Sequence, residues 1–177
     1  MDGGERQDKG NYLALHKVDD KYFLTKTKVT YIPLNDYEGE EVGNNTSNLS
    51  NVVAYIRDKN ITSGEVTAAI VDWSGKSGKP RVTESKMKIT LGNQTYFVYD
   101  TKGALALTRD GVNQEISPGR VSFAILWAGD LDGDGKLDLI IYSLDGDDKN
   151  SEKCLLLSSI AKKPQLVKEA ACMSYGG

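Results

Sequence analysis

The chain has few of the side chains from which most catalytic and transition-metal sites are built. Its 177 residues include one histidine and two cysteines. A Ser-His-Asp or Cys-His arrangement would have to use His16, which lies within a predicted strand, where histidine is more often a packing or surface residue than a general base. A zinc site would need more histidine or cysteine ligands than the chain supplies. The composition therefore favours neither a catalytic triad nor zinc chemistry.

Long apolar runs and an excess of one charge are also missing. No apolar run approaches the roughly 18 residues that a membrane span needs. With 22 basic and 25 acidic residues, the composition gives no reason to expect nucleic-acid binding. The first residues lack the apolar core of a signal peptide, so an exported form would carry its signal, or a lipid-modified cysteine, ahead of Met1. Residues 1–10 are polar and glycine-rich, which predicts a flexible leader before a single domain over residues 11–177.

Short segments of alternating apolar and polar residues recur along the chain, with turn residues between them. Residues 11–17 and 22–34 predict one hairpin, and residues 86–91 and 94–99 predict another around Gly92 and Asn93. No segment carries a sustained apolar stripe with the period of a helix. The fold class predicted is mainly β, an antiparallel meander that forms a sandwich or a partial propeller-like sheet.

Other segments are less regular. Residues 35–50 are acidic and then rich in Asn, Ser and Thr, which predicts a long loop. Residues 65–73 predict a strand that ends at Trp73, beside a Gly- and Ser-containing loop. Trp73 is the candidate aromatic residue for an exposed binding surface, where it would stack on a sugar or on a partner's side chain. Residues 161–175 are compatible with either a short helix or a last strand.

The acidic stretch at residues 130–138, between two apolar runs, is the strongest indication of a ligand. The predicted metal ligands are the carboxylates at loop positions 1, 3, 5 and 9 and the backbone carbonyl at position 7: Asp130, Asp132, Asp134, Asp138 and Lys136. Carboxylates this close repel one another unless a cation lies among them, and a shell of oxygen ligands suits Ca²⁺. Gly133 and Gly135 allow the positive φ angles of a loop wrapped around an ion. The twelfth position is Ile141, not the Glu of an EF-hand, which predicts a calcium loop between two strands.

The pattern Asp130-x-Asp132-x-Asp134-Gly135-x-x-Asp138, followed by a strand, resembles the calcium loop of FG-GAP/VCBS-type repeats, as found in the β-propeller of integrin α chains. The chain carries one copy of this pattern. The residues that lead into the loop, together with residues 155–159 and 166–169, are similar to a group of bacterial exported proteins with one such loop near the C-terminus. This resemblance implies export and assigns no activity.

A second acidic cluster, Asp145-Gly146-Asp147-Asp148, follows the strand after the calcium loop. Asp145, Asp147 and Asp148 lack the alternate spacing of the first loop. The cluster is therefore predicted to be a solvated hairpin turn, with a second ion site as the alternative.

The two cysteines, Cys154 and Cys172, are predicted to form a disulfide, with two buried free thiols as the alternative. If residues 153–158 and 167–172 pair as antiparallel strands, the two sulfur atoms fall opposite each other. A disulfide, and a calcium loop of the affinity typical of extracellular modules, both indicate an extracytoplasmic location in the periplasm, the cell envelope or the medium.

Three functions are compatible with these features. The first is a non-catalytic, calcium-binding domain in which the ion is mainly structural and the partner is an unidentified protein or glycan. The alternative is a calcium-stabilised hydrolase of the cell envelope, which would need acids or a Ser-Lys pair in a pocket away from Asp130. The third is an adhesin-like domain in which a partner's carboxylate completes the coordination of the ion.

Overall fold

A computed structural model describes the backbone of residues 6–35, 41–72, 81–82, 86–101, 104–118, 122–144 and 150–176. Every helix or strand element among these residues is a β-strand, which confirms the mainly β prediction. Among the same residues, no helix is long and apolar enough to cross a membrane. Trp73 and the acidic turn with Asp145, Asp147 and Asp148 lie outside the described residues.

Contacts along the chain divide it into two compact units, Met1–Val66 and Thr67–Gly177. The single domain over residues 11–177 stays a prediction.

The first unit is built from antiparallel pairs of strands. Its strands are β1 (Arg6–Val18), β2 (Lys21–Asn35), β3 (Glu41–Thr46) and β4 (Val52–Ile56), followed by the first residues of β5 (Gly64–Ala68). β1 pairs with both β2 and β4, and β2 also pairs with β3 and with residues 64–66. The predicted first hairpin is therefore confirmed. β1 begins at Arg6, so it includes half of the segment for which a flexible leader is predicted.

The long loop predicted over residues 35–50 is wrong in part, because β3 lies within it. The segment has almost no apolar residues, so its side chains gave no sign of a strand. Strand pairing is made by backbone groups, however, and β2 extends to Asn35 with backbone N–H and C=O groups that need partners. β3 supplies them over six residue pairs.

His16 is 8% exposed and lies two residues before the end of β1. Its Nε2 atom lies 2.8 Å from the hydroxyl oxygen of Thr25 on the neighbouring strand. The buried apolar residues of the first unit are Leu13, Ala14, Leu15, Leu24, Val29, Ala54, Ile56 and Ile61. The contact with Thr25 gives the buried imidazole a hydrogen-bonding partner, as a packed histidine requires.

The second unit contains the remaining strands. They are β6 (Ile70–Asp72), β7 (Arg81–Val82), β8 (Met87–Leu91), β9 (Gln94–Asp100), β10 (Ala104–Arg109), β11 (Val112–Pro118), β12 (Ser122–Asp130), β13 (Asp138–Leu144), β14 (Asn150–Leu157) and β15 (Lys168–Gly176). One sheet has the order β11-β10-β9-β8-β6. The other runs β15-β14-β13-β12, with β7 and residues 67–68 also paired to β12. Of the two alternatives for residues 161–175, a short helix or a last strand, the structure has the strand, β15.

Strands of both sheets contribute side chains to one apolar core in the second unit. The first sheet supplies Met87, Ile89, Leu91, Tyr96, Val98, Leu105 and Leu107. The second supplies Phe123, Ile125, Ala128, Leu139, Ile141, Cys154 and Leu156, and Leu137 and Val167 join them from the adjoining loops. The alternation along these strands places every second side chain in the core. Within this unit the packing is that of the sandwich alternative.

The single strand predicted over residues 65–73 is divided at Ala69. Thr67 and Ala68 pair with β12, whereas β6 begins at Ile70 and pairs with β8 of the other sheet. The chain passes from one sheet to the other at Ala69. The amide of Ala69 donates a 2.8 Å hydrogen bond to the carbonyl of Ala128, which holds the chain at this position. Residues 68–71 are all apolar, so the sequence has no polar or turn-forming residue that would mark the break.

The predicted disulfide is confirmed. Cys154 and Cys172 are direct partners in the register of β14 and β15, their Cα atoms lie 4.1 Å apart, and their sulfur atoms are bonded. Cys154 is buried and Cys172 is exposed.

Removing this disulfide is expected to lower the free energy of unfolding by about 3 kcal/mol, because the open chain regains the conformational entropy of an 18-residue loop. The variant that fits both environments is Cys154→Ala with Cys172→Ser. Urea unfolding of this variant, compared with the oxidised wild type, measures the change. A difference below about 0.5 kcal/mol would contradict the prediction.

Candidate metal centre

The acidic loop joins two paired strands, as predicted. Asp130 is the last residue of β12 and Asp138 is the first of β13, and Gly129 pairs directly with Asp138. The strand pairing therefore fixes both ends of the loop. The seven residues between them must reverse the chain direction within this short span.

Gly129 has no space for a side chain just before the first predicted ligand. A Cβ atom at this position would overlap the carbonyl oxygen of Thr67 and would lie 2.6 Å from the ring of Trp127. Trp127 is 4% exposed, so its ring cannot easily move aside. A glycine is therefore required for the close pairing that places Asp130 at the mouth of the loop.

The loop wraps around the carboxylate of Asp130. One oxygen accepts a 2.8 Å hydrogen bond from the amide of Gly133, and the other accepts a 3.0 Å bond from the amide of Gly135. Both glycines have positive φ angles, +83° and +76°. This confirms the conformation for which the two glycines were singled out.

Three of the four predicted carboxylate ligands come together. Oxygen atoms of Asp130, Asp132 and Asp138 all lie within 4.8 Å of one another, a spacing at which they could hold a metal ion. Asp134 is not in this group: its carboxylate accepts hydrogen bonds from the Lys136 ammonium at 2.9 Å and from the Ser158 hydroxyl at 3.0 Å. The coordination of an ion by Asp134 and by the Lys136 carbonyl stays a prediction.

Asp138 is the buried member of the group, with an exposed fraction of 0%. Its Oδ2 atom accepts a 2.8 Å hydrogen bond from the amide of Leu131, and its Oδ1 atom accepts bonds from the amide and the hydroxyl of Ser158 at 2.8 and 3.0 Å. Burial raises the pKa of Asp138 to about 7, and the negative charge of Asp132 acts in the same direction, although the hydrogen bonds oppose the shift. Ionised Asp138 is therefore costly unless a cation compensates for its charge.

The charge of Asp134 is compensated within the loop. Partial burial disfavours its ionised form, but hydrogen bonds from the side chain and the amide of Lys136 and from Ser158 outweigh burial and lower its pKa. The same contact with Asp134 raises the pKa of Lys136. The loop thus has one carboxylate that is paired internally and three that face one another.

Two serines that sequence reasoning missed complete the site. The Ser159 hydroxyl contacts Asp132, and the Ser158 hydroxyl lies 3.0 Å from three carboxylate oxygens, two of Asp134 and one of Asp138. A hydroxyl has one proton to donate, so it cannot satisfy three acceptors at once. Extra positive charge at this point, from a proton or a cation, would relieve the crowding of oxygen atoms.

The register of the strands contained the signal for these serines. β14 pairs with β13, with Leu156 opposite Leu139. Because antiparallel numbering runs in opposite directions, the residues after Leu157 must lie beside the end of the loop. The cysteine pairing predicts a strand at residues 153–158, but the sequence alone does not give its register against β13.

A third missed residue, Gln94, lies at the start of β9. Its side-chain amide donates a 2.8 Å hydrogen bond to the carbonyl of Gly135. Gln94 is 41 positions away in sequence, and nothing in the local pattern connects it with the loop.

A second group with metal-ligand spacing, Glu152, Cys154 and Cys172, does not have the chemistry of a metal site. Both cysteines are bonded to each other, so neither offers the thiolate that binds a metal. The acidic loop is the candidate metal centre.

No protein-family model, no curated protein and no solved structure matches the chain. The resemblance of the loop to FG-GAP/VCBS-type repeats therefore stays a proposal.

Proposed function

We propose that the protein is an extracytoplasmic, non-catalytic domain that binds Ca²⁺ at Asp130, Asp132 and Asp138, where the ion has a structural role. The observation that carries this proposal is the meeting of three carboxylates, one of them fully buried. A buried carboxylate beside two others is unfavourable unless a positive charge is bound among them.

The donor set favours calcium over other metals. All three ligands are carboxylates, which suit hard cations, and the group contains neither histidine nor cysteine for zinc or copper. Ca²⁺ accepts six to eight oxygen ligands in irregular geometry, whereas Mg²⁺ demands a nearly ideal octahedron. Asp134, the Lys136 carbonyl and water would supply the remaining ligands. The FG-GAP/VCBS-type spacing of the loop supports the same ion.

A structural role follows from the position of the site at the ends of three strands. Asp130 ends β12, Asp138 begins β13, and Ser158, which contacts Asp138, follows β14. An ion among these groups would hold three neighbouring strand ends together. Two points support an extracytoplasmic location. Disulfides persist mainly outside the cytoplasm. A calcium loop with the modest affinity of extracellular modules would be filled only where calcium is abundant. The protein or glycan partner, the adhesin-like role and the hydrolase alternative stay predictions.

Thermal unfolding with calcium, magnesium and chelator tests the proposed function. A ligand that binds only the folded state at about 100 times its dissociation constant stabilises it by about 2.7 kcal/mol. For a chain of this length we expect calcium to raise the melting temperature by about 5–10 °C relative to chelator. The control is sodium chloride at equal ionic strength. An unchanged melting temperature, or an equal rise with magnesium, would contradict selective calcium binding.

A further inference from the structure

The side-chain amide of Gln94 has a defined orientation. Its Oε1 atom accepts hydrogen bonds from the hydroxyl of Tyr96, at 2.6 Å, and from the guanidinium of Arg109. Its nitrogen donates to the carbonyl of Gly135. If the amide were flipped, its NH₂ group would face two donors and its oxygen would face a carbonyl. The two donors therefore determine that the nitrogen points at the loop.

Tyr96 and Arg109 are themselves held in place. Tyr96 is 2% exposed and belongs to the apolar core. Arg109 donates a 2.8 Å hydrogen bond to the Tyr96 hydroxyl, its guanidinium lies 5.0 Å from the centre of the Tyr96 ring, and its Nε atom bonds to Asp110 at 2.8 Å. Gln94, Tyr96 and Arg109 together are called the glutamine clamp below. The three residues of the clamp lie on β9 and β10 of the five-stranded sheet, not in the loop.

The glutamine clamp acts on the peptide unit that joins Gly135 to Lys136. The carbonyl of this unit accepts the bond from Gln94, and its N–H group donates a 2.8 Å bond to Asp134. Since a peptide unit is planar, fixing both groups fixes its plane. The orientation of this plane limits the positions that the next carbonyl along the chain, the predicted ligand at Lys136, can take. It also fixes Gly135, whose own N–H donates to Asp130.

We propose that Gln94 is a positioning residue of the metal centre, and this inference rests on the proposed calcium function. Gly135 has a positive φ angle and the broad backbone freedom of glycine, so a contact from outside the loop reduces the number of conformations that the loop can adopt. The clamp provides this contact before an ion binds. This part of the loop then loses its conformational entropy when the protein folds and not when calcium binds. The affinity for calcium is higher as a result.

Calorimetric titration of chelator-treated protein with calcium tests this inference. A pH of about 8 is chosen so that competition between calcium and protons does not affect the dissociation constant. Gln94→Ala removes one neutral hydrogen bond without a change in charge, and we expect the dissociation constant to rise about fivefold. Tyr96→Phe touches no atom of the loop but removes one donor that orients Gln94, and we expect a rise of about twofold. The double variant should bind about as weakly as Gln94→Ala alone, because both changes act through the same bond.

Gln114→Ala is the matched control. Gln114 also bonds to backbone groups of a loop, since it accepts from the amides of Leu166 and Val167 and donates to the carbonyl of Val167. Its loss should lower the melting temperature and leave the calcium dissociation constant unchanged. If Gln94→Ala binds calcium like the wild type, or if Gln114→Ala weakens binding equally, the positioning role is overturned. If the wild type binds no calcium, the proposed function itself fails, which is a different result.

Discussion

Asp138→Ala is expected to lower the free energy of unfolding by about 4 kcal/mol in chelator, and by more in calcium, where the variant also loses the stabilisation by the ion. The carboxylate accepts hydrogen bonds from the amides of Leu131 and Ser158, and both bonds are buried. Alanine would leave two buried donors without an acceptor, at a cost of roughly 1–3 kcal/mol each. This part of the loss is independent of the metal, because these hydrogen bonds exist without it.

Asp132→Ala is the matched variant and should behave differently. Asp132 is half-buried and its partners, the amide of Asp134 and the hydroxyl of Ser159, belong to contacts that water can replace. Removal of its charge also reduces the repulsion on Asp138. In chelator we therefore expect stability equal to the wild type or slightly above it, and in calcium we expect the stabilisation by the ion to disappear.

Urea unfolding of both variants in about 10 mM calcium and in chelator separates the two roles. Asp138→Ala should lose stability in both conditions, and Asp132→Ala only in calcium. If Asp132→Ala lost equal stability in chelator, the loop would be a hydrogen-bonded turn and the metal proposal would lose its main support. If Asp138→Ala were harmless in chelator, the buried hydrogen bonds would not have the strength assigned to them.

Local sequence was enough to predict those parts of the site that depend on neighbouring residues. The spacing of Asp130, Asp132 and Asp138 places their carboxylates on one side of a single turn, and the φ angles of Gly133 and Gly135 follow from the same turn. The hairpin turn at Gly92 was equally predictable, since a two-residue turn of this type requires a positive φ angle at its first central position.

Contacts between distant segments could not be predicted in the same way. Ser158 and Gln94 reach the loop only because of strand register and sheet packing, and a shift of register by one residue would have turned both side chains away. Asp134 shows the complementary case. Its spacing fits a metal ligand, but its carboxylate is contacted by Lys136 and Ser158, and a sequence pattern does not reveal which of two available partners a carboxylate takes.

Calcium binding should weaken about tenfold for each pH unit below about 7, because the ion and a proton compete for Asp138. Its pKa in the folded protein, about 7, is raised from an ordinary value of 3.8, mainly by burial. In chelator the folded protein holds this proton more tightly than the unfolded chain does. The stabilisation that protonation of Asp138 gives to the folded state is therefore fully present below about pH 4 and is lost as the pH rises to about 7.

In calcium the sign is reversed, since an ion replaces the proton and favours the ionised folded state. The difference in melting temperature between calcium and chelator should therefore grow as the pH rises from about 5 to 8. Calorimetric titrations in two buffers with different ionisation enthalpies count the protons directly. We expect release of about one proton per calcium ion at about pH 6 and almost none at about pH 8.5. An equal and negligible release at both pH values would mean that Asp138 is already ionised before calcium binds, and its burial would then be compensated by the amides of Leu131 and Ser158 alone.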